Sequence, residues 1–75
     1  MSINNTQFDA LVKLTRLTPG SAMSEAARSV LIDGLTPSEA GRKHNTHRSN
    51  VSASVKSIRR IIPLVYIAVT GEEPK

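Results

Sequence analysis

Residues 36–62 read TPSEAGRKHNTHRSNVSASVKSIRRII, and the fold turns on how this stretch divides. Thr36-Pro37-Ser38-Glu39 joins three helix-start signals: a capping hydroxyl, a proline at the first helical position, and a glutamate able to reach back to the cap. Leu35 and Ala40 occupy the two positions of a hydrophobic staple. This helix is short, because Asn45 tolerates the left-handed conformation that ends it. A second helix begins near Thr46 or His47 and carries Val51, Val55, Ile58 and Ile62 on one side, with Pro63 limiting its extent. Ala40-Gly41 supplies small side chains where the two helices must approach, and Val51 and Val55 anchor the second on the first. His44 stands where a leucine is usual and is expected to pack as a neutral imidazole with its tip toward water. Two helices joined by a tight turn, the second longer and basic, describe a helix-turn-helix.

With the valines and isoleucines turned inward, the opposite stripe of the second helix reads Ser49, Ser52/Ala53, Lys56 and Arg60. It is small and polar at its start and cationic further along. Short side chains let a backbone approach base edges in the major groove of DNA, and longer cations reach phosphates. Arg48, at the start of the helix, suits bidentate readout of a guanine, with a phosphate contact the alternative. Ser49 and Ser52 can bond bases or phosphates or simply face solvent, and Ala53 can touch a thymine methyl. Asn50 can pair with an adenine but lies nearer the flank. Lys56, Arg59 and Arg60 are expected on phosphates, as are Arg42 and Lys43 of the first helix. Thr36 and Ser38 can hold a phosphate through a helix N-terminus, and His47 can cap its helix or reach a phosphate.

Charge distribution agrees. The 75 residues hold ten Lys and Arg against six Asp and Glu, a net charge of +4. Between Ala40 and Gly71 there is no acidic residue, while six of the ten bases fall there. Such concentrated positive potential suits a polyanion. An enzyme is not expected: there is no cysteine, no glycine-rich phosphate loop and no carboxylate pair beside a histidine. His44 and His47 lack further ligands to complete a metal site. Only Phe8 and Tyr66 are aromatic, too few to stack single-stranded bases. No signal peptide is visible and the longest apolar run, Leu64 to Val69, is too short to span a bilayer, so a cytoplasmic protein without membrane contact is expected. No cofactor or small-molecule ligand is expected either.

Around this centre, a first helix is expected from about Thr6 to Arg16, capped by Asn5 or Thr6, with Phe8, Leu11 and Val12 at helical spacing. After Pro19-Gly20, Ser21 caps a second helix ending near Asp33, with Met23, Ala26, Ala27, Val30 and Leu31 as its apolar face and Gly34 closing it. Arg28 and Asp33 are assigned structural roles, in an ion pair or a cap. Leu64–Thr70 is rich in β-branched residues and reads as a strand, with a continued helix the alternative. A lone strand would pair with its copy across a two-fold axis through Leu64, Val65, Tyr66, Ile67 and Val69. A short chain without disulfides also gains from oligomerising, since it buries only roughly 60% of its unfolded surface. The expected architecture is therefore all-α, about four helices, with a short C-terminal strand or extended segment used in dimerisation. Residues 1–62 form the helical domain, 63–71 the dimerisation segment and 72–75 a flexible tail.

These residues resemble the KorA/TrfB family of plasmid-borne repressors. The resemblance rests on Gln7-Phe8, on the run Ala27-Arg28-x-Val30-Leu31-x-Asp33-Gly34, on Arg48, Val51, Ser52 and Val55, and on Tyr66 with Val69-Thr70. It covers most of residues 6–70. It implies a homodimer that binds a palindromic operator in double-stranded DNA and represses plasmid genes by covering a promoter. Ala53 replaces a glutamine of the family's recognition helix, which implies a different operator. The family also continues into a longer C-terminal dimerisation region, and the Leu64–Thr70 segment is expected to take that role here. A plasmid partition or transfer-accessory protein with the same fold is the alternative function. A protein-docking module would associate with DNA weakly and without salt dependence.

Overall fold

Each helix begins where a side chain can satisfy its free N–H groups. In the computed structural model, which describes residues 3–71, α1 (Asn5–Lys13) starts at Asn4 rather than at Asn5 or Thr6. The Asn4 side chain accepts the Gln7 N–H at 2.8 Å, and Gln7 Oε1 accepts the Asn4 N–H at 2.9 Å. The helix stops short of Arg16 because Thr15 turns its hydroxyl onto the Val12 carbonyl. Ser21 caps α2 (Ala22–Leu31), and Gly34 takes φ +77° beyond it. α3 (Pro37–Lys43) carries the expected capping box between Thr36 and Glu39. Asn45 adopts φ +53° in the following turn, and His47 caps α4 (Arg48–Thr70).

The expected C-terminal strand is not formed: Leu64–Thr70 continues α4, and the described residues are all helix, turn and loop. Pro63 cannot donate to the Arg59 carbonyl, which in a helix interior costs about 3 kcal/mol. Here the loss falls on the exposed side, where water can reach that carbonyl. Ile61, Ile62 and Val65 meanwhile pack against the core, and burial of those side chains holds the helical register. β-branched composition describes only a half-buried surface, and tertiary contact overrides it. Gly71, expected to end a strand, is instead the left-handed C-cap, its N–H bonded to the Ile67 carbonyl at 2.8 Å. α4 thus runs without a break across the boundary expected at residues 62 and 63. The expected tail, 72–75, lies outside the described residues.

The core joins all four helices: Phe8, Leu11 and Val12 from α1, Ala26 and Ala27 from α2, Ala40 from α3, and Val51, Val55 and Ile58 from α4. Three alanines in a core of nine let α2 and α3 lie close to α4. α2 is phased slightly differently from its apolar pattern: Ser24 and Ser29 are buried while Met23, Val30 and Leu31 are half-buried. Ser24 donates to the Ser21 carbonyl at 3.0 Å, and Ser29 Oγ lies 2.8 Å from His44 Nε2. His44 therefore points its tip at α2 rather than at water. That bond gives the His44 imidazole a partner between α2 and α3. Arg28 is structural, as expected: it bridges Asp9 at 2.6 Å and Glu25 at 3.2 Å, and stacks 4.6 Å from the centre of the Phe8 ring.

Gly41 sets the junction of α3 with α4. A Cβ there would lie 2.6 Å from the Thr46 carbonyl oxygen and 3.3 Å from the Arg48 nitrogen, both backbone atoms. In an open helix, alanine gains about 1 kcal/mol over glycine. Forcing backbone apart costs about 1–3 kcal/mol, so the clash wins. Gly41→Ala should lower stability by about 1–2 kcal/mol, read as a fall in the urea midpoint at unchanged slope. An unchanged or raised midpoint would mean that the turn can move away.

Candidate nucleic-acid interface

α4 buries Val51, Ser54, Val55 and Ile58 and presents its other side to solvent. Arg48, Ser49, Asn50, Ala53, Lys56, Arg59 and Arg60 are exposed, and Ser52 is half-buried. The expected recognition stripe is thus on the outside of the molecule. Its first turn is tightly organised. His47 Nδ1 accepts the Ser49 N–H at 3.2 Å and lies 2.7 Å from Ser49 Oγ, so the Ser49 hydroxyl is engaged with its own cap. Arg48, between them, has no such tether.

Two grooves flank this stripe. One, of about 490 Å³, lies between α3 and the start of α4 and brings together Ser38, Arg42, His47 and Arg48 with the turn residues Asn45 and Thr46. The other, of about 460 Å³, gathers Asn50, Ala53 and Arg60 with Ser57 and with Arg16 from the α1–α2 connection. Thr36, Lys43, Ser52, Lys56 and Arg59 line neither groove. Thr36 is also committed locally, since its hydroxyl accepts the Glu39 N–H at 3.2 Å. Arg16 escaped the sequence reading because it lies outside the acid-free stretch, and only packing of the connection beside α4 brings it there.

Unpaired positive charge characterises this side. The described residues include nine of the ten Lys and Arg, Lys75 lying outside them. Among these nine, Arg28 alone is in an ion pair. Asp9 and Glu25 are both spent on it, and the hydrogen bond that Arg28 donates to the Asp9 carboxylate is the main reason its pKa is raised above the ordinary arginine value. Arg42, Lys43, Arg48, Lys56, Arg59 and Arg60 are exposed and form no ion pair among the described residues. No group of three or more His, Cys, Asp or Glu among the described residues could hold a metal ion. No described helix is long and apolar enough to cross a membrane.

The residues expected in dimerisation fall on the last turns of α4. Leu64, Tyr66 and Val69 are 58%, 40% and 79% exposed, while Val65 and Ile67 are half-buried. Leu14 of the α1–α2 connection, 64% exposed, joins Val65 and Tyr66 around an apolar cleft of about 260 Å³. No family model matches the chain, and no curated protein or solved structure is significantly similar to it.

The α3 cap has a measurable signature. The Thr36 N–H, and secondarily its hydroxyl, bonds the Glu39 carboxylate and holds its pKa below the ordinary glutamate value. A depressed pKa stabilises the fold above the unfolded-state value, and that contribution disappears as pH falls through the folded one. A carboxyl NMR titration should place the Glu39 midpoint below that of an unstructured glutamate, and Thr36→Ala should raise it part of the way. A midpoint at the ordinary value would mean the capping box is open in solution.

Proposed function

We propose that this chain is a sequence-specific double-stranded DNA-binding protein, a plasmid repressor of the KorA/TrfB kind acting in the cytoplasm. In this proposal α3, the turn after it and the first half of α4 form a DNA-binding helix-turn-helix, with α4 in the major groove. Arg48 reads a base edge, assisted by Ser52, Ala53 and Asn50. Ser49 is better placed as a cap partner of His47, with its hydroxyl shared between cap and DNA. Arg42, Lys43, Lys56, Arg59 and Arg60 hold phosphates, with Thr36, Ser38 and His47 beside them. The chain acts as a homodimer on a palindrome, the two recognition helices about 34 Å apart, one turn of B-DNA. Occupancy of the site by the dimer then excludes polymerase.

The observation that carries this function is the row of unpaired cations along the exposed side of an anchored helix that starts with small polar residues. A solvated surface without a partner has no need to keep its carboxylates elsewhere. The close approach at Gly41 gives further support, because a recognition helix must be held at a fixed angle to the helix before it.

Dimerisation is proposed through the last turns of α4, as helix against helix rather than strand against strand. Residues 61–71 carry no charge, so two copies of a +4 chain can meet there without opposing like charges.

Selection of duplexes from a random pool at two salt concentrations tests the function. We expect enrichment of a short palindrome, and Arg48→Ala should relax one base of each half-site, losing about 1–3 kcal/mol of discrimination. Strongly salt-dependent binding with no enriched sequence would replace the repressor with a nonspecific architectural protein. Absence of binding at low salt would end the DNA-binding proposal. Selected sites lying away from promoters would favour a partition or transfer-accessory role. For the dimer, Val69→Lys should give a monomer by sedimentation with unchanged helix content. A variant that stays dimeric would place the interface elsewhere.

A further inference from the structure

Arg16 sits in the α1–α2 connection, far in sequence from every other cation at the proposed interface, and it is exposed. Its backbone is nonetheless anchored on both sides. The Thr15 hydroxyl donates to the Val12 carbonyl at 2.8 Å and accepts the Leu17 N–H at 3.1 Å. Leu17 in turn packs against the core. The connection lies along α4, and the groove between them has Arg16 and Arg60 in its walls, Asn50 and Ser57 along the helix, and Leu14 and Leu17 on the opposite side. No carboxylate lines this groove, and neither arginine has an ion-pair partner among the described residues.

We infer that this groove seats a phosphate of the duplex backbone between Arg16 and Arg60, on the flank of α4 away from α3. The inference rests on the DNA-binding function proposed above. A helix lying in a major groove about 12 Å wide has a sugar-phosphate strand along each flank. Successive helical residues turn by about 100°, so Asn50 and Ser57 lie about 160° around α4 from Arg48 and Arg59. The Arg48 flank shares a groove with α3, whose Arg42 can serve one strand. On the other flank α4 itself offers a single cation, Arg60, beside the neutral Asn50 and Ser57. Arg16 supplies a second charge from a separate element, facing Arg60 across the groove, and Leu14 and Leu17 offer apolar surface to the adjoining deoxyribose. Two strands gripped from two elements would fix the roll of α4 in the groove, which a contact on one side cannot do.

The test is the salt dependence of binding to the selected duplex, or to a generic 20-base-pair duplex, for wild type, Arg16→Ala, Arg16→Lys and Lys13→Ala. Lys13 is exposed on α1 and borders a different cleft, beside Asp9 and Arg28, so its removal subtracts the same charge away from the groove. Arg16→Ala should weaken binding roughly tenfold on cognate and non-cognate duplexes alike. It should also reduce the slope of log affinity against log salt by about 0.9, one released counterion. Arg16→Lys should keep the slope, and Lys13→Ala should keep both slope and affinity. Wild-type slope and affinity in Arg16→Ala would overturn the inference while leaving DNA binding by α4 intact. An equal fall in Lys13→Ala would overturn it in favour of net charge alone. A wild-type chain that binds no duplex would remove both the inference and the function beneath it.

Discussion

The close contact between Gly41 and the turn that follows it is the constraint on which the rest depends. Thr46 donates its N–H to the Gly41 carbonyl at 2.8 Å, and its own carbonyl occupies the space a Cβ would need. Asn45, in the left-handed region at φ +53°, reverses the chain so that this is possible. Together these fix where α4 leaves α3. They also fix which side of α4 is sealed against Ala26, Ala27 and Ala40 and which side faces outward. Any larger residue at position 41 would have to change that angle, and every exposed cation on α4 would be carried with it.

Charge is sorted by the same packing. Asp9 and Glu25 are drawn to Arg28 across α1 and α2, and Glu39 is turned back onto the cap of α3. Ion pairs this exposed add little stability, typically under about 1 kcal/mol each. Their larger effect is on the field: carboxylates held on local partners leave the outer side of α4 uniformly positive. Such a field raises the encounter rate with a polyanion and weakens steeply with salt.

α4 has two characters along one rod. Its own length of about 34 Å accounts for most of the molecule's longest dimension of 39 Å. Up to Ile62 it is amphipathic, with a sealed apolar side and a cationic one. Past Pro63 it is neutral and largely apolar, with Leu64, Tyr66 and Val69 exposed in different directions. A helix apolar on several sides is normally covered. Placing the cations and the apolar turns on one continuous helix means that whatever covers the second half also constrains the orientation of the first.

Much of this was legible locally. The Thr36–Glu39 capping box, Pro37, Ser21 and Asn45 act within three or four residues, so the starts of α2, α3 and α4 and the stop of α3 follow from the order of residues alone, whereas α2 ends at Leu31, before the expected Asp33. The apolar spacing of Val51, Val55 and Ile58 likewise determined the buried side of α4, and with it which side chains face outward. What local order could not determine was anything that depends on a distant neighbour. Leu64–Thr70 is compatible with strand or helix, and only the packing of Ile61, Ile62 and Val65 on the core selects the helix through Pro63. Ser29 is buried beside a half-buried His44 because each satisfies the other across two helices. Arg16 reaches α4 because Thr15 and Leu17 pin its connection there. Caps and periodicity are short-range and therefore written in sequence, whereas these placements come from contacts between residues far apart in the chain, which exist only once the helices have packed.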